Sequence, residues 1–352
     1  MYLSELAQNL TPYTAGEQPK EQLYIKLNTN ENPYPPSPKA LNAIEAASKK
    51  LPLYPDMNAT ALCEAIAAVN DVKPENVFCS NGSDETLAFA FAAFFAGKSL
   101  IAPDITYSFY PTYAKLFNIQ YETVPLNADF SVDVPGLQKG APIVLANPNA
   151  PTGRLLEESG IEALLKHANE NGQVLLVDEA YAAFSKETTL PLLKKYDNLL
   201  IIRTFSKSHS LAGLRVGYAL GSKALIDGMN RVKDSFNSYP LDCIAQAVAT
   251  QAISDVPYTS EITKKIIATR DYFSKGLETL GLEFIPSQTN FVFVKADETD
   301  AAWVKDGLKE KGVLVRHFKG ERIAPYLRIS IGTQADMETT LSALSLVLKK
   351  GS

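Results

Sequence analysis

Lys207 lies in a hydroxyl-rich segment, Thr204-Phe-Ser-Lys-Ser-His-Ser-Leu-Ala-Gly-Leu-Arg215, whose residue types suit covalent chemistry on a carbonyl group. A lysine amine attacks a carbonyl carbon only when it is neutral, and burial beside a positive group lowers its pKa. The hydroxyls of Thr204 and Ser206, together with the guanidinium of Arg215, suit a phosphate dianion. Taken alone, the segment fits an ordinary lysine on a surface loop equally well.

Asp178 follows the apolar run Val174–Val177 directly, 29 positions before Lys207. A carboxylate in that place is costly unless it faces a cation or several hydrogen-bond donors. A protonated pyridine nitrogen is such a cation, and the charge-assisted bond is worth roughly 1.5–3 kcal/mol. The phenol of Tyr181 follows where it would reach the same ring. The alternative is an aspartate that caps a helix.

Two further loops follow predicted strands and carry residues suited to a flat, phosphorylated ligand. Ser80-Asn-Gly-Ser-Asp-Glu85 precedes a helical pattern, Gly82 permits a tight turn, and Ser83 is placed to cap the helix. Backbone N–H groups at such a helix start bind phosphate. A capped buried helix explains this loop as well. Tyr107 suits either stacking on an aromatic ring or ordinary packing.

Arg316 and Arg328 interrupt apolar, strand-like sequence in the last third of the chain. A buried guanidinium needs an anion. The carboxylate or phosphate of a substrate would serve, and so would a structural aspartate or glutamate.

The elements that must position these residues alternate between strands and helices. Short apolar runs without polar alternation predict strands that are covered on both faces, and helical patterns such as Thr86–Ala96 and Glu157–Asn169 lie between them. This alternation predicts an α/β fold with a mostly parallel sheet, in which ligands bind at the strands' carboxyl ends. The predicted strands are Val77–Cys79, Leu100–Ala102, Ile143–Ala146, Val174–Val177 and Leu199–Ile202.

From about residue 250 the pattern predicts a smaller α+β domain. Its expected elements are a helix over Tyr258–Leu280, a strand pair at Asn290–Val294 and Leu327–Ile331, and helices at Ala301–Lys311 and Asp336–Lys349. We therefore expect residues 36–245 to form the large domain and residues 246–352 the small one. Residues 1–35 are expected to pack on the small domain or on a partner subunit.

Composition excludes several other classes of protein. The net charge is −5 and no long basic run is present, which argues against nucleic-acid binding. The three cysteines and three histidines stand too far apart in the sequence to predict a metal site or a disulfide framework. The chain shows no signal-peptide pattern, and its longest apolar stretch, about 10 residues, is shorter than the ~20 that a membrane span needs. We expect a protein of the reducing cytoplasm.

These motifs, in this order and over nearly the whole chain, resemble those of the pyridoxal 5′-phosphate (PLP)-dependent aminotransferases of fold type I, the aspartate-aminotransferase fold. Within that family the start of the chain is similar to the histidinol-phosphate branch, although close relatives share it. The matching segments are Asn30-Glu-Asn-Pro33, Tyr54-Pro-Asp56, Gly82–Glu85, Asn147–Gly153, Asp178–Tyr181, Thr204–Lys207, Leu211–Arg215, Asn290-Phe291 and Leu327–Gly332.

The resemblance implies a role for each candidate residue. Lys207 would form the Schiff base with PLP, Asp178 would pair with the pyridine nitrogen, Tyr181 would bind the ring hydroxyl and Tyr107 would stack on the ring. The phosphate would be held by Ser83 and Asp84 through backbone N–H groups, by Thr204, Ser206 and Arg215, and by Tyr54 of a second subunit, which implies a homodimer. The substrate would be bound by Asn32, Arg316, Arg328 and Tyr13, the last from the same or the other subunit.

The chain departs from the family pattern at Ala150. The family usually has asparagine directly before Pro-Thr-Gly, where the amide contacts the ring hydroxyl. Either Asn149 supplies that amide here, or Tyr181 acts alone on the oxygen.

The implied activity is amino transfer from L-histidinol phosphate to 2-oxoglutarate, in which Lys207 moves a proton as general base and acid. Two other enzyme classes share the machinery: aromatic amino-acid aminotransferases and threonine-phosphate decarboxylases. A PLP-binding regulatory module is a rival of another kind. It would need a DNA-binding domain, and the roughly 30 residues before Asn30 show neither a basic stretch nor a helix-turn-helix pattern.

Overall fold

The computed structural model describes residues 2–10, 17–18, 23–296 and 300–351, with side chains described as far as Lys349. Helices and strands alternate through the first two thirds of the chain, as predicted. The helices are α1 (Glu5–Asn9), α2 (Pro38–Ser48), α3 (Thr60–Asn70), α4 (Ser83–Ala90), α5 (Tyr110–Leu116), α6 (Val134–Leu137), α7 (Glu158–Glu170), α8 (Lys223–Phe236), α9 (Cys243–Ser254), α10 (Val256–Thr279), α11 (Ala301–Glu310) and α12 (Gln334–Gly351).

The strands form three sheets, of which the largest has seven strands and the order β2-β8-β7-β6-β5-β3-β4. All its neighbouring pairs are parallel except those made by β8, which runs against both β2 and β7. The strands are β1 (Ile25–Lys26), β2 (Val77–Ser80), β3 (Ser99–Pro103), β4 (Gln120–Val124), β5 (Ile143–Ala146), β6 (Leu175–Asp178), β7 (Leu199–Thr204), β8 (Gly217–Gly221), β9 (Phe284–Ile285), β10 (Phe291–Lys295), β11 (Val313–Leu314), β12 (Arg316–His317) and β13 (Tyr326–Ser330).

Both faces of the large sheet are buried, which explains why its central strands are apolar at every position. Along β5, Leu145 belongs to the core on one face, whereas Val144 belongs to the core on the other. Val177 and Leu176 divide in the same way along β6. The five predicted strands and the fold class are therefore confirmed, with a mostly parallel sheet between two helical layers.

The last third of the chain builds a separate core around a four-stranded antiparallel sheet of order β12-β13-β10-β9. The predicted strand pair is present as β10 and β13, and their register places Phe293 opposite Arg328. The N-terminal segment joins this part of the molecule, because β1 pairs in parallel with β11 and Leu27 is buried in the same core. Where the two units divide along the chain stays a prediction.

Helix α4 differs from the sequence prediction at both ends. It begins at Ser83 with Gly82 as its N-cap, so the Ser83 hydroxyl does not cap it. After Ala90 the backbone continues as a π-helical turn over Phe91–Phe95. In the part of the chain described, no helix is both long and apolar enough to cross a membrane.

Candidate active site

Lys207 lies at the carboxyl edge of the large sheet, three residues after β7 ends. Its Nζ donates to the backbone carbonyl of Thr29 at 3.2 Å and lies 5.9 Å from the centre of the Tyr181 ring. Burial, followed by the positive charge of Arg328, lowers the pKa of Lys207 to about 8. A substantial fraction of the amine is therefore neutral near pH 8, as carbonyl chemistry requires.

Asp178 is the last residue of β6 and is almost fully buried. Its carboxylate accepts hydrogen bonds from the backbone N–H of Ala180 at 3.1 Å and from the hydroxyl of Tyr110 at 3.0 Å. Burial raises the pKa of Asp178 to about 6. No Lys, Arg or His nitrogen among the described residues lies within 4 Å of it. A buried carboxylate held by donors alone suits a cationic ring nitrogen.

Tyr181 is held in place by the N-terminal segment. Its hydroxyl accepts a hydrogen bond from Asn30 Nδ2 at 2.8 Å, and its ring packs edge-on against Phe291, with centroids 5.2 Å apart. Asn30 in turn accepts from the Ser330 hydroxyl at 2.9 Å. Because the Tyr181 oxygen accepts from Asn30, its own hydrogen remains available for a ligand in the pocket.

The start of α4, together with Arg215, forms a cradle suited to a phosphate group. The first N–H groups of a helix have no acceptor within it, and they carry the positive end of the helix dipole. Gly82 has a φ of 85°, and a Cβ there would lie 2.6 Å from Arg215 Nη2. A Cβ on Gly217 would lie 2.3 Å from the backbone nitrogen of Ser83. Glycine is therefore required where β8 and the arginine approach this helix.

Hydroxyl groups complete the cradle on the side of β7. Thr204 and Ser206 are both buried, and the Thr204 hydroxyl donates to Ser206 Oγ at 3.0 Å. Arg215 Nη1 lies 3.4 Å from the same Ser206 oxygen. Two hydroxyls, a guanidinium and a helix N-terminus together match the donor set for a phosphate dianion.

The Asp84 side chain contacts two of the predicted residues, Tyr107 and Arg215. The sequence reasoning missed this contact. One carboxylate oxygen accepts from the Tyr107 hydroxyl at 2.7 Å, and the other pairs with Arg215 Nη2 at 3.1 Å. The sequence analysis had considered only the backbone N–H of Asp84. This carboxylate fixes the ring that would stack on a cofactor and the guanidinium that would bind its phosphate.

Asn149 uses its whole amide within the protein. Its Nδ2 donates to the Ile105 carbonyl at 2.9 Å and to Thr152 Oγ1 at 3.0 Å, and its Oδ1 accepts from Thr106 Oγ1 at 2.9 Å. Both amide hydrogens are therefore engaged. Of the two options raised by Ala150, this geometry favours Tyr181 acting alone.

A cavity of about 660 Å³ lies beside these groups and contains both predicted substrate arginines. Arg316 and Arg328 are directly opposite each other on β12 and β13. Both guanidinium groups lie over the ring of Phe318, at 5.7 Å and 5.5 Å. Tyr107 and Ala150 also line this cavity. Two neighbouring positive charges in its lining suit an anionic substrate group.

Arg322 closes one side of this cavity from the loop between β12 and β13. Its Nη1 lies 3.3 Å from Asp104 Oδ2, and its Nη2 donates to the Asn127 carbonyl at 2.7 Å. Asp104 directly follows β3, in the loop that carries Tyr107. Arg322 therefore connects the β12–β13 loop of the small sheet to the loop after β3, which carries Tyr107.

The other predicted residues are placed differently. Asn32 lies against the lysine loop, where its Nδ2 donates to the Lys207 carbonyl at 2.9 Å. Tyr54 is 86% exposed, and its ring lies 5.1 Å from the Tyr239 ring. The structure of a single chain therefore does not bring Tyr54 into the site. Tyr13 lies outside the described residues.

Sequence reasoning missed two tyrosines of the site, Tyr110 and Tyr113, although their spacing in the sequence could have indicated them. Tyr107, Tyr110 and Tyr113 recur every three residues from the loop before α5 into its first turn, and each hydroxyl donates a hydrogen bond to Asp84 or Asp178. Tyr110 reaches Asp178, and Tyr113 reaches the Asp84 carbonyl at 2.9 Å. A repeat of three places side chains on one face of a helix, and it was visible in the sequence.

The residues present fit the PLP group that the sequence resemblance implies. Asp178, which is buried and held by two hydrogen-bond donors, matches a protonated pyridine nitrogen, and the glycine-lined cradle matches a phosphate. Lys207 supplies an amine of lowered pKa. Among the described residues, no group of three or more His, Cys, Asp or Glu side chains is arranged to hold a metal ion.

Comparison with known proteins gives consistent matches along the chain. The family profile described as aminotransferase class I and II matches residues 23–344. The chain is 49% identical to histidinol-phosphate aminotransferase 1 of Bradyrhizobium diazoefficiens, over 94% of this chain and 95% of the relative. It is 48% identical to histidinol-phosphate aminotransferase of Acetobacter pasteurianus, over 99% and 98%.

A solved structure resembles the fold over the whole chain. Histidinol-phosphate aminotransferase from Sinorhizobium meliloti, in complex with pyridoxal-5′-phosphate, superposes with a TM-score of 0.89 at 27% identity. The superposition covers 100% of this chain and 98% of that one.

Proposed function

Because the chain belongs to the family of class I and II aminotransferases, we propose that it is a PLP-dependent transaminase of histidine biosynthesis. Its reaction converts L-histidinol phosphate and 2-oxoglutarate into imidazole acetol phosphate and L-glutamate. The observation that carries the proposal is an amine of lowered pKa, Lys207, which feels the charge of Arg328, together with a cavity that both Arg316 and Arg328 line. Near full-length relatives of that name support the choice of substrate.

Residues on α4, β6, β7 and the loops beside them would hold PLP. The start of α4 at Ser83 and Asp84, the hydroxyls of Thr204 and Ser206, and Arg215 would bind its phosphate. Asp178 would pair with the ring nitrogen, Tyr181 would donate to the ring hydroxyl, and Tyr107 would stack on the ring. When bound, PLP supplies a reactive carbonyl carbon and a ring that withdraws electrons.

Lys207 has two tasks in this proposal. As a neutral amine it would hold the cofactor covalently between turnovers. With the substrate amine in its place, the freed amine of Lys207 would take the proton from the substrate carbon as general base and give a proton back as general acid. Its lowered pKa lets it act as a base near neutral pH, and Asn32 holds its loop through the Lys207 carbonyl.

The two arginines would allow one site to bind two substrates of different shape. L-histidinol phosphate carries a phosphate but no carboxylate, whereas 2-oxoglutarate carries two carboxylates. Both molecules place an anion away from the reacting carbon, which a guanidinium pair accepts. Phe318 orients both guanidinium groups.

We also propose that the protein works in the cytoplasm as a homodimer, with Tyr54 reaching the phosphate site of the partner subunit. An exposed apolar surface surrounds this tyrosine, and a second copy of the chain would cover it. The residues of this surface and their exposed fractions are Leu51 (58%), Leu53 (71%), Tyr54 (86%), Phe236 (81%) and Tyr239 (44%).

A single-turnover absorbance experiment tests the function. Purified protein loaded with PLP is mixed with L-histidinol phosphate and, separately, with L-phenylalanine, and conversion to the pyridoxamine form is followed. We expect fast conversion by histidinol phosphate alone. Conversion mainly by phenylalanine would move the activity to aromatic amino acids. Release of carbon dioxide from threonine phosphate would indicate a decarboxylase.

Lys207→Ala tests the central residue. We expect turnover to be abolished, while Lys194→Ala, a lysine paired with Asp71 on the surface, remains active. Rates near wild type in Lys207→Ala would overturn the proposed function.

A further inference from the structure

Asp178 is the residue on which the ring chemistry depends, and one side chain is placed to control it. The Tyr110 hydroxyl donates to Asp178 Oδ2 at 3.0 Å. The other carboxylate oxygen, Oδ1, accepts from the backbone N–H of Ala180 at 3.1 Å. The plane of the carboxylate is thus fixed from both sides, and each oxygen keeps a second lone pair.

The phenol of Tyr110 is itself fixed by its surroundings. The residue is fully buried at the first position of α5. One face of its ring stacks on Phe91, with centroids 6.1 Å apart and an interplanar angle of 26°. The Tyr107 ring packs against the Tyr110 ring in a T-shaped arrangement, with centroids 5.6 Å apart and an interplanar angle of 83°. With the ring held between these neighbours, the hydroxyl has little freedom to leave the carboxylate.

Tyr110 is a donor at every working pH. Burial and the negative charge of Asp178 raise the pKa of Tyr110 well above its usual range, so its oxygen keeps its hydrogen. For Asp178, burial is the largest effect and raises the pKa, as do the charges of Asp84 and Glu179. The bonds from Ala180 and Tyr110 act in the opposite direction.

We propose that Tyr110 is a positioning residue that keeps Asp178 ionised and aimed at the ring nitrogen of the cofactor. A proton shared between Asp178 and that nitrogen lies on the nitrogen only if the carboxylate is the weaker base. The hydrogen bond from Tyr110 weakens the base, so the proton stays on the ring. This inference rests on the proposed function, because it needs PLP at the site.

Tyr110→Phe removes one oxygen and retains the ring packing. In the holoenzyme loaded with 15N-labelled PLP, we expect the ring-nitrogen resonance to move toward the unprotonated value. We also expect the dissociation constant for PLP to rise about tenfold, in line with loss of one hydrogen bond to a charged group. The matched control is Tyr196→Phe, which removes a tyrosine–carboxylate bond of 2.9 Å to Glu162 far from the site.

A second variant, Asp178→Asn, distinguishes an effect of Tyr110 on the carboxylate from a general effect of Tyr110 on packing. With Asp178→Asn the carboxylate is absent, so adding Tyr110→Phe should leave the nitrogen resonance where Asp178→Asn already placed it. An unchanged resonance in Tyr110→Phe alone, with PLP affinity within twofold of wild type, would overturn the proposal. Failure of wild-type protein to bind PLP would instead count against the proposed function.

If Tyr110→Phe does not fold, as judged by circular dichroism and melting, labelled tyrosine answers the same question. In the holoenzyme, the 13Cζ resonance of Tyr110 should change when Asp178 is replaced by asparagine. A resonance that does not respond shows that the phenol does not act on the carboxylate.

Discussion

Lys207 and Asp178 have pKa values displaced in opposite directions by one cause. Burial disfavours the charged form of each group, so it lowers the pKa of Lys207 to about 8 and raises that of Asp178 to about 6. In the cofactor-free protein, burial therefore destabilises the charged form of each residue. In the proposed function, binding of PLP would relieve both costs, since it would consume the amine and bring a cation to the carboxylate.

The first prediction concerns the pH dependence of cofactor capture. Only the neutral amine of Lys207 reacts, so the rate constant for covalent binding of PLP to the cofactor-free protein should rise with pH. The rise should level off above about 8, the pKa of Lys207 in the protein. Stopped-flow absorbance measures this rate. An inflection near 10.5, the value for a solvated lysine, would contradict the environment described for Lys207.

The second prediction concerns stability without PLP. Asp178 has a folded-state pKa above its unfolded value of 3.8, so its contribution is present below that pH and is lost as pH rises to about 6. A displacement of about two pKa units corresponds to roughly 3 kcal/mol. Cofactor-free Asp178→Asn should therefore have a larger free energy of unfolding than wild type at pH 7.5, by up to that amount, and unfold at a higher urea concentration.

Urea unfolding at pH 7.5 and at pH 4.5 measures the difference, which should shrink at the lower pH. With PLP bound the order should reverse, because only the carboxylate pairs with the ring. Asp71→Asn, at an exposed carboxylate, serves as control. A variant less stable than wild type in both forms would show that Asp178 is a structural residue.

The third prediction separates Asn149 from Tyr181 at the ring hydroxyl. Asn149→Ala breaks three hydrogen bonds of a buried side chain, and it should lower the free energy of unfolding by about 1–3 kcal/mol while the cofactor spectrum stays unchanged. Tyr181→Phe should shift the pH titration of that spectrum and weaken PLP binding. If Asn149→Ala shifted the titration more than Tyr181→Phe, the asparagine would be the ring-hydroxyl partner.

Sequence alone gave the identity of these residues but not their partners. The types and order of Lys207, Asp178 and Arg215 predict the chemistry. Nothing in the pattern predicts that Asp84 joins Tyr107 to Arg215, because that contact depends on how β8, α4 and the loop after β3 approach one another. Such approaches follow from packing of the whole sheet.

At the scale of elements, strands buried on both faces were predicted and the exceptions were missed. β4 lies at the sheet edge, and four of its five residues are at least partly exposed, so its sequence Gln-Tyr-Glu-Thr-Val lacks the apolar signal. β8 is apolar and fully buried, but it runs antiparallel, and only a single 3-10 turn over Ala212–Leu214 separates the lysine loop from it. Alternation of strand and helix does not predict such a strand.

The fourth prediction concerns the contact between the two sheets' loops. Arg322→Gln removes the ion pair with Asp104 and weakens the hold of the β12–β13 loop over the substrate cavity. We expect KM for the amine substrate to rise about three- to tenfold, because a partly exposed ion pair and one hydrogen bond are lost. Affinity for PLP should not change, because Arg322 touches none of the residues proposed to hold it.

Steady-state kinetics and PLP titration measure these two quantities. Lys194→Gln, which breaks an exposed ion pair elsewhere, should leave both unchanged. Unaltered KM in Arg322→Gln would mean that the loop is held by other contacts.

At the scale of the whole molecule, the fifth prediction tests the shared site. Tyr54→Ala and Lys207→Ala should each be nearly inactive if Tyr54 completes the partner's phosphate site. Mixed dimers of the two variants then contain one site with both residues intact, so co-refolding them should restore up to about a quarter of wild-type activity on statistical mixing of two subunits. No recovery, with mixed dimers verified by mass spectrometry, would place Tyr54 outside the partner's site.

Asn30 contacts both units of the fold, and its partner Ser330 lies 300 positions later in the chain. The Tyr181 phenol that Asn30 holds is therefore anchored, through one asparagine, to the last strand of the small sheet. A chain that lacks β13 would still contain every strand of the large sheet and Lys207, but Asn30 would have lost its anchor at Ser330. We expect such a truncated chain to retain PLP poorly, so an intact small sheet is a condition for cofactor loading on the large one.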